Sequence, residues 1–276
     1  MTSKIKAIAR YLLSTMYRRP VQNVVRSSGL EKYVIHWYNR LLRDGTVTHT
    51  VDGVKAEFHN TSHIPHSLPE RSVVEDVFTQ IRQGDVFYDF GANRGLFTCM
   101  IARMPQSPTV ISFEPSPDAF SDLQRNVELN EIGNSVSTHQ LAVSDTSGEI
   151  SFVVKDESTG NTLVSDVQTE ADEIISVPSV EIDSFVTTEN IPLPTVIKID
   201  VEGAELQALQ GMVETLQEER CRLIYCEVHE EKLTRLDQNP EDLFSILREC
   251  GFETIKRVYD RSDSHYIVRG EKSHTE

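Results

Sequence analysis

The chain has 276 residues, enough for one domain with a large core and room for a terminal extension. It contains 27 Lys and Arg residues and 43 Asp and Glu residues, which give a formal net charge of -16. A surface this acidic repels phosphates, so a nucleic-acid partner is not expected. The four cysteines form no C-x-x-C pair, which favours buried free thiols in a reducing cytosol over disulfides or a zinc site.

Residues 1–66 predict an N-terminal cap of helices and a hairpin. Residues 1–19 have a basic amphipathic pattern, which fits a helix packed on the domain, on a second copy of the chain in a homo-oligomer, or on a membrane surface. A second helix is predicted from Leu30 to Arg43, and alternation around Asp52-Gly53 predicts a hairpin from Thr46 to Phe58. Since no run resembles a signal peptide or a membrane span, we expect a cytoplasmic protein, at the inner face of the membrane if residues 1–19 bind lipid.

Residues 67–276 predict one domain in which strands and helices alternate. A capping box at Ser67 begins a helix that ends before Gly84. The next strand runs through Asp89 into a glycine-punctuated turn and an apolar helix from Leu96 to Arg103. A second strand covers 109–113 and ends at Glu114, and a third covers 136–143.

The rhythm breaks at about 145–185, where two strand-like pieces predict an inserted β-hairpin that serves as a lid or substrate loop. A fourth strand, 195–199, ends at Asp200, and a fifth, 222–226, ends at Glu227. Residues 252–259 and 264–269 then form a closing hairpin with no helix between them. The pattern predicts a doubly wound, mostly parallel α/β sheet with one reversed strand at its edge.

Polar residues collect where these strands end, and ligands of such sheets bind beyond the carboxyl ends of the strands. Glu114 is one of them, and an acidic residue at this position either accepts the ribose hydroxyls of an adenosine ligand or faces the dipole of the next helix. Its pairing with the glycine turn favours the ribose role.

The turn itself favours S-adenosylmethionine over a dinucleotide. It reads Asp-x-Gly-x-Asn-x-Gly from Asp89 to Gly95, where a dinucleotide site has G-x-G-x-x-G, and no P-loop motif occurs. Asp89 would repel a pyrophosphate but could fix the cationic ammonium of S-adenosylmethionine. A nicotinamide oxidoreductase on a similar sheet is therefore the weaker alternative.

Three ordered motifs resemble the FkbM family of class I S-adenosylmethionine-dependent methyltransferases over roughly residues 70–269. They are Asp89-Phe-Gly-Ala-Asn-Arg-Gly95, Phe113-Glu-Pro115 and Lys198-Ile-Asp-Val-Glu-Gly-Ala-Glu205, with Glu227-Val-His229 as a further match. The resemblance implies the seven-stranded, Rossmann-like methyltransferase fold and O-methylation of sugars or other hydroxyl compounds.

The resemblance also implies roles for single positions. Cofactor binding is expected from Asp89, Gly91, Asn93, Gly95, Glu114, Ala142, Val143 and Asp200. Within that set, the turn holds the methionine part, Glu114 holds the ribose, and Ala142 with Val143 flanks the adenine. Asp200 is expected near the amino group or the transferred methyl.

A hydroxyl acceptor needs a base or a metal ion that lowers its pKa. The candidates are Asp200, Glu202, Glu227 and His229, which could act as bases or bind a divalent ion such as Mg²⁺. Glu202 and His229 could equally be structural.

A carboxylate acceptor such as a uronic acid would need no base but would need cations, for which Lys198 and Lys155 are available. The predicted partner is a sugar, glycan or other small-molecule acceptor, which would be lipid-linked if residues 1–19 bind a membrane. A catalytically inactive binding protein of the same fold is the alternative.

Overall fold

The computed structural model describes residues 45–59, 70–154, 162–163 and 173–273. These residues fall into two compact units: residues 50–56 with 70–273, and the described parts of 1–49 and 57–69. The helices predicted at 1–19 and 30–43, the capping residue Ser67, and Lys155 lie outside the described residues. The boundary predicted between residues 66 and 67 remains a proposal.

The first described element is the predicted hairpin. Strand β1 (Thr46–Val51) pairs with β2 (Val54–His59). Asp52 and Gly53 both have positive φ, 46° and 84°, as the two central residues of a type I′ turn require.

The central sheet has seven strands in the order β12-β13-β11-β10-β3-β4-β5. Their bounds are β3 (Val86–Phe90), β4 (Thr109–Phe113), β5 (Val136–His139), β10 (Val196–Ile199), β11 (Leu223–His229), β12 (Thr254–Ser262) and β13 (His265–Glu271). Strands β3, β10 and β11 are buried along their whole length, as strands covered on both faces should be. The doubly wound sheet is confirmed.

The reversed strand is not at the edge, and that part of the prediction is wrong. Strand β13 runs antiparallel to both β11 and β12, and it lies between them. The closing hairpin therefore folds back so that its second strand joins the sheet first and β12 becomes the edge.

Helices cover both faces of the sheet. Their bounds are α1 (Arg71–Gln80), α2 (Leu96–Ala102), α3 (Pro117–Leu129), α4 (Ile182–Glu189), α5 (Glu205–Gln210), α6 (Val213–Gln217), α7 (Glu230–Arg235) and α8 (Pro240–Glu249). On one face, Tyr88 and Phe90 join a core with Leu209 of α5 and Leu247 of α8. On the other face, Asp89 of β3 bonds to α2, and Tyr225 of β11 bonds to Asp76 of α1.

The inserted hairpin is confirmed but belongs to a second sheet. Strand β7 (Gly148–Val154) pairs antiparallel with β9 (Glu173–Val180), and β6 (Ala142–Val143) and β8 (Thr162–Leu163) complete the order β6-β9-β7-β8. The predicted third strand at 136–143 is thus two strands in different sheets. Residues 182–185, predicted to continue the insertion, instead begin helix α4.

None of the helices in the described part of the chain combines the length and the apolar character that crossing a bilayer requires.

Candidate active site

The turn between β3 and α2 is fastened to the end of β4. The N–H of Gly91 donates to the carbonyl of Phe113 at 3.0 Å. The carboxylate of Glu114 accepts from the N–H of Asn93 at 2.8 Å through Oε2 and from the N–H of Ser116 at 2.9 Å through Oε1. The structure therefore brings together the turn and the acidic residue that the sequence paired.

The two glycines of this turn are needed because neighbouring groups come very close. Gly91 has φ +74°, and a Cβ there would lie 1.8 Å from the carbonyl oxygen of Asp200. Gly95 has φ +84°, and a Cβ there would lie 2.6 Å from Cδ1 of Leu123. The turn thus sits directly against the chain that follows β10.

The carboxyl group of Glu114 has a pKa close to neutral pH. Burial raises its pKa to about 7, although the two backbone N–H donors favour the ionised form. The carboxylate can still accept hydrogen bonds, since each oxygen uses only one of its acceptor positions on the backbone.

Asp89 is fully buried, and its contacts lie within the protein. Its Oδ2 accepts from both the N–H and the hydroxyl of Thr98, at 3.0 and 2.6 Å, which fixes the start of α2 to the sheet. Its Oδ1 lies 3.8 Å from Nζ of Lys198. This geometry assigns Asp89 a structural role, and its contact with a ligand ammonium remains a prediction.

Lys198 and Asp200 lie two residues apart and form an ion pair. Nζ of Lys198 donates to Oδ2 of Asp200 at 3.2 Å and lies 4.9 Å from the ring centre of Phe97. Burial acts to lower the pKa of Lys198, but the charges of Asp200 and Asp89 raise it above its usual range. Since Lys198 is already neutralised by these carboxylates, it is a poor candidate for binding an acceptor carboxylate.

The predicted adenine-flanking residues, Ala142 and Val143, are buried in β6 and pair with Ser179 and Val180 of β9. The sequence predicted that these two residues end the third strand, but the structure places them outside β5. The residue beside Glu114 is His139, whose carbonyl accepts the Glu114 N–H at 3.0 Å. A contact between β6 and an adenine remains a prediction.

Glu202, Glu227 and His229 converge with Asp200 at the ends of β10 and β11. Nε2 of His229 lies 3.4 Å from Oε2 of Glu202. Burial and then the charge of Asp200 raise the pKa of Glu227 to about 7. Burial opposes ionisation of Asp200, but Lys198 and His229 lower its pKa to about 2. The surroundings therefore raise the pKa of one of these neighbouring carboxyl groups and lower that of the other, the arrangement of an acid–base pair.

The surroundings of His229 favour its protonated form. Burial acts to lower its pKa, but the hydrogen bond and charge of Glu205, with the charges of Glu202 and Asp200, raise it to about 9. The bond joins Nδ1 to Oε1 of Glu205 at 2.8 Å. An imidazolium accepts no proton, so Glu227 is better placed as a base near pH 7 than His229 is.

Four residues of this cluster are missing from the sequence-based site. His265 approaches Glu227, with 2.5 Å between Nε2 and Oε1, and Arg261 bonds to Glu70 while its Nε lies 3.4 Å from the same Glu227 oxygen. Lys232 donates to Glu202 at 2.5 Å. The pairing of β13 with β11 brings His265 here, and that pairing has no signature in the sequence.

The described residues contain two groups of three side chains that could hold an ion. They are Glu227 with His229 and His265, and Asp200 with Glu202 and His229. In each group one ligand atom per residue lies within 4.8 Å of the others.

Residues 89–254 match the family described as the methyltransferase FkbM domain. The hexuronic acid methyltransferase AglP of Haloferax volcanii is 28% identical over 200 residues, covering 72% of this chain and 77% of that protein. The 31-O-demethyl-FK506 methyltransferase FkbM of Streptomyces tacrolimicus is 26% identical over 204 residues, covering 64% and 75%.

A solved structure supports the fold. The crystal structure of a methyltransferase FkbM from Methylobacillus flagellatus superimposes with a TM-score of 0.50 at 16% identity. The match covers 69% of this chain and 44% of that one, and at this identity it supports the architecture alone.

Proposed function

The chain belongs to the FkbM methyltransferase family, and we propose that it transfers a methyl group from S-adenosylmethionine to an oxygen of a sugar or glycan. The observation that carries the proposal is the contact between the Glu114 carboxylate and the backbone of Asn93 in the turn after β3. It joins the proposed ribose acceptor to the glycine turn that the sequence paired with it.

The residues present fit this cofactor. Glu114 would hold the ribose hydroxyls, and Gly91, Asn93 and Gly95 would bound the methionine part. Asp200, whose low pKa keeps it ionised, would accept from the ammonium group. Bound here, S-adenosylmethionine supplies an electrophilic methyl group on a sulfonium centre.

The acceptor class is supported by the hexuronic acid named for AglP and by the chemistry of the site. A hydroxyl acceptor must lose a proton, and Glu227 is our candidate base because its pKa is close to neutrality. Asp200, Glu202 and His229 would position the acceptor around it.

A carboxylate acceptor would need no base but would need a cation. Lys198 is committed to Asp200 and Asp89, so Arg261 and protonated His229 are the cations that could meet an acceptor carboxylate. The insertion at about 145–185 and residues 1–66 are proposed to select the acceptor. The net negative charge of the protein disfavours a nucleic-acid acceptor.

The experiment is a transfer assay with labelled S-adenosylmethionine on cell extract separated into glycan, lipid, protein and small-molecule fractions. We expect label in the glycan or small-molecule fraction. Calorimetry with S-adenosylmethionine separates the alternatives, since an inactive binding protein binds without transfer and an oxidoreductase binds NAD(P)H instead. Binding that is unaffected by Glu114→Ala would refute the proposed cofactor site.

A lipid-linked acceptor at the inner face of a membrane remains part of the proposal. It predicts that the chain binds anionic lipid vesicles and that removing residues 1–19 abolishes this binding. Binding that survives the truncation would contradict it.

A further inference from the structure

Three side chains with metal-binding atoms lie at the ends of two paired strands. Glu227 and His229 belong to β11, and His265 belongs to β13. His229 and His265 stand directly opposite each other in the antiparallel register. Because side chains alternate along a strand, Glu227 shares their face. Paired strands, which hold side chains more precisely than loops do, therefore set the geometry of this group.

Glu227 has an oxygen in need of a partner. The residue is 2% exposed, and its Oε2 accepts no hydrogen bond from any residue in the described part of the chain. Its Oε1 faces Nε2 of His265 and Nε of Arg261. A buried carboxylate oxygen is costly to leave unpaired. Either a proton shared with Asp200 or a bound cation removes that cost.

His229 is held as metal-binding histidines are held. Its Nδ1 lies 2.8 Å from Oε1 of Glu205, a residue with no exposed surface that also accepts the Gly203 N–H. This contact fixes the ring and leaves Nε2 facing the cluster, where a bound ion would displace the proton that Nε2 otherwise carries. A buried carboxylate behind an imidazole orients the ring and raises its basicity as a ligand.

From these contacts we infer that Glu227, His229 and His265 bind a divalent transition-metal ion. Two imidazole nitrogens and one carboxylate suit Zn²⁺ or Mn²⁺, whereas Mg²⁺ prefers oxygen ligands. The other group is less suited, since Lys198 lies 3.2 Å from Asp200 and Lys232 lies 2.5 Å from Glu202. Those ammonium groups already neutralise the carboxylates that an ion would use, whereas Arg261 contacts Oε1 of Glu227 and not its Oε2.

The role of the ion rests on the proposed function. An ion at these residues would lie beside Asp200, where the acceptor oxygen is proposed to sit. The ion would lower the pKa of an acceptor hydroxyl so that its proton passes to solvent water, and Glu227 would serve as a ligand instead of the base. The acceptor oxygen would then bond to the methyl carbon as the C–S bond breaks, and the sulfur would keep that electron pair and leave as S-adenosylhomocysteine. Methyl transfer to a hydroxyl would therefore depend on the ion.

The test is metal binding by the full chain after treatment with a chelator. ZnCl₂, MnCl₂ and MgCl₂ are titrated separately by calorimetry, and bound metal is counted by mass spectrometry. We expect about one Zn²⁺ or Mn²⁺ per chain and much weaker Mg²⁺ binding. His265→Gln and Glu227→Gln should each weaken binding by about 100-fold or more, since even losing an outer partner costs up to about that much. His59→Gln removes a histidine from β2, outside the group, and should leave binding unchanged.

Two results would overturn the inference: wild-type protein that takes up no Zn²⁺ or Mn²⁺, and His265→Gln and Glu227→Gln proteins that bind them as wild type does. Thermal unfolding without metal identifies a variant that fails to fold, and the other variant then decides. A rise in the wild-type midpoint on adding ZnCl₂ gives a readout that needs no variant. Titration of S-adenosylmethionine into metal-free protein tests the proposed function separately, since either ligand can bind without the other.

Discussion

Replacing Glu114 by glutamine separates the folding role of this side chain from its cofactor role. Glutamine keeps the size but offers one acceptor oxygen where the carboxylate offers two. One of the N–H donors, from Asn93 or Ser116, is then left without its acceptor. An unsatisfied buried donor costs about 1–3 kcal/mol at every pH.

The charge has an opposite effect that depends on pH. Burial raises the pKa of Glu114 from its ordinary 4.5 to about 7. Because the folded state prefers the protonated form, this group's contribution to stability is complete below pH 4.5 and is lost as pH rises through about 7. A rise of that size corresponds to about 3 kcal/mol, which the wild type loses and Glu114→Gln does not. The variant should therefore be less stable than wild type at low pH and, at about pH 8, equal to wild type or more stable by up to about 2 kcal/mol.

Cofactor binding should respond differently. Losing one charge-assisted bond to a ribose hydroxyl costs about 2–3 kcal/mol, or about 100-fold in affinity. Wild-type affinity should also fall about tenfold between about pH 8 and pH 6 as Glu114 gains its proton, and the variant should lack this fall. Urea unfolding at both pH values and calorimetry with S-adenosylmethionine measure the two effects. Glu128→Gln, the same change at an exposed position of α3, is the matched control.

Two outcomes would refute this reasoning. If the stability difference between Glu114→Gln and wild type is the same at low and high pH, the carboxylate does not have the buried environment described. If the variant folds and binds S-adenosylmethionine as wild type does, Glu114 does not hold the ribose.

Three further predictions concern the scaffold. Gly91→Ala should destabilise the fold by about 3 kcal/mol or more, since its Cβ would meet the Asp200 carbonyl. Gly84 also has positive φ but faces open space, so Gly84→Ala is the control and should cost about 1 kcal/mol. Thermal unfolding measures both. Asp85→Asn should cost about 1–3 kcal/mol, because the partly buried Arg222 loses the carboxylate that now lies 2.5 Å away but keeps its hydrogen bond to the Gln80 carbonyl; equal stability in urea would contradict this. The four cysteines are free and buried, so a thiol reagent should react with none of them in the native protein and with all four in guanidinium; fast native labelling would show that the core opens.

The strand–turn–helix around the cofactor turn was predictable from the sequence because its signals are local. Strand residues before Asp89, glycines at Gly91 and Gly95, and an apolar helix after them fix the backbone within a few residues. Glu114 followed because the strand that carries it ends there. The hairpin at β7 and β9 was predictable for the same reason, from alternation and its place in the chain.

The acceptor side of the site was decided by pairing between distant segments. Sequence order gave Glu227 and His229 a common face, but it could not show that β13 inserts beside β11 and sets His265 opposite His229. It also could not show that Glu205 lies behind the His229 ring. Glu205 raises the pKa of His229, which is therefore less suited to act as a base than its ordinary pKa suggests. Strand register and burial depend on the packing of the whole sheet, so only the tertiary structure showed which pKa values are shifted and which groups could bind an ion.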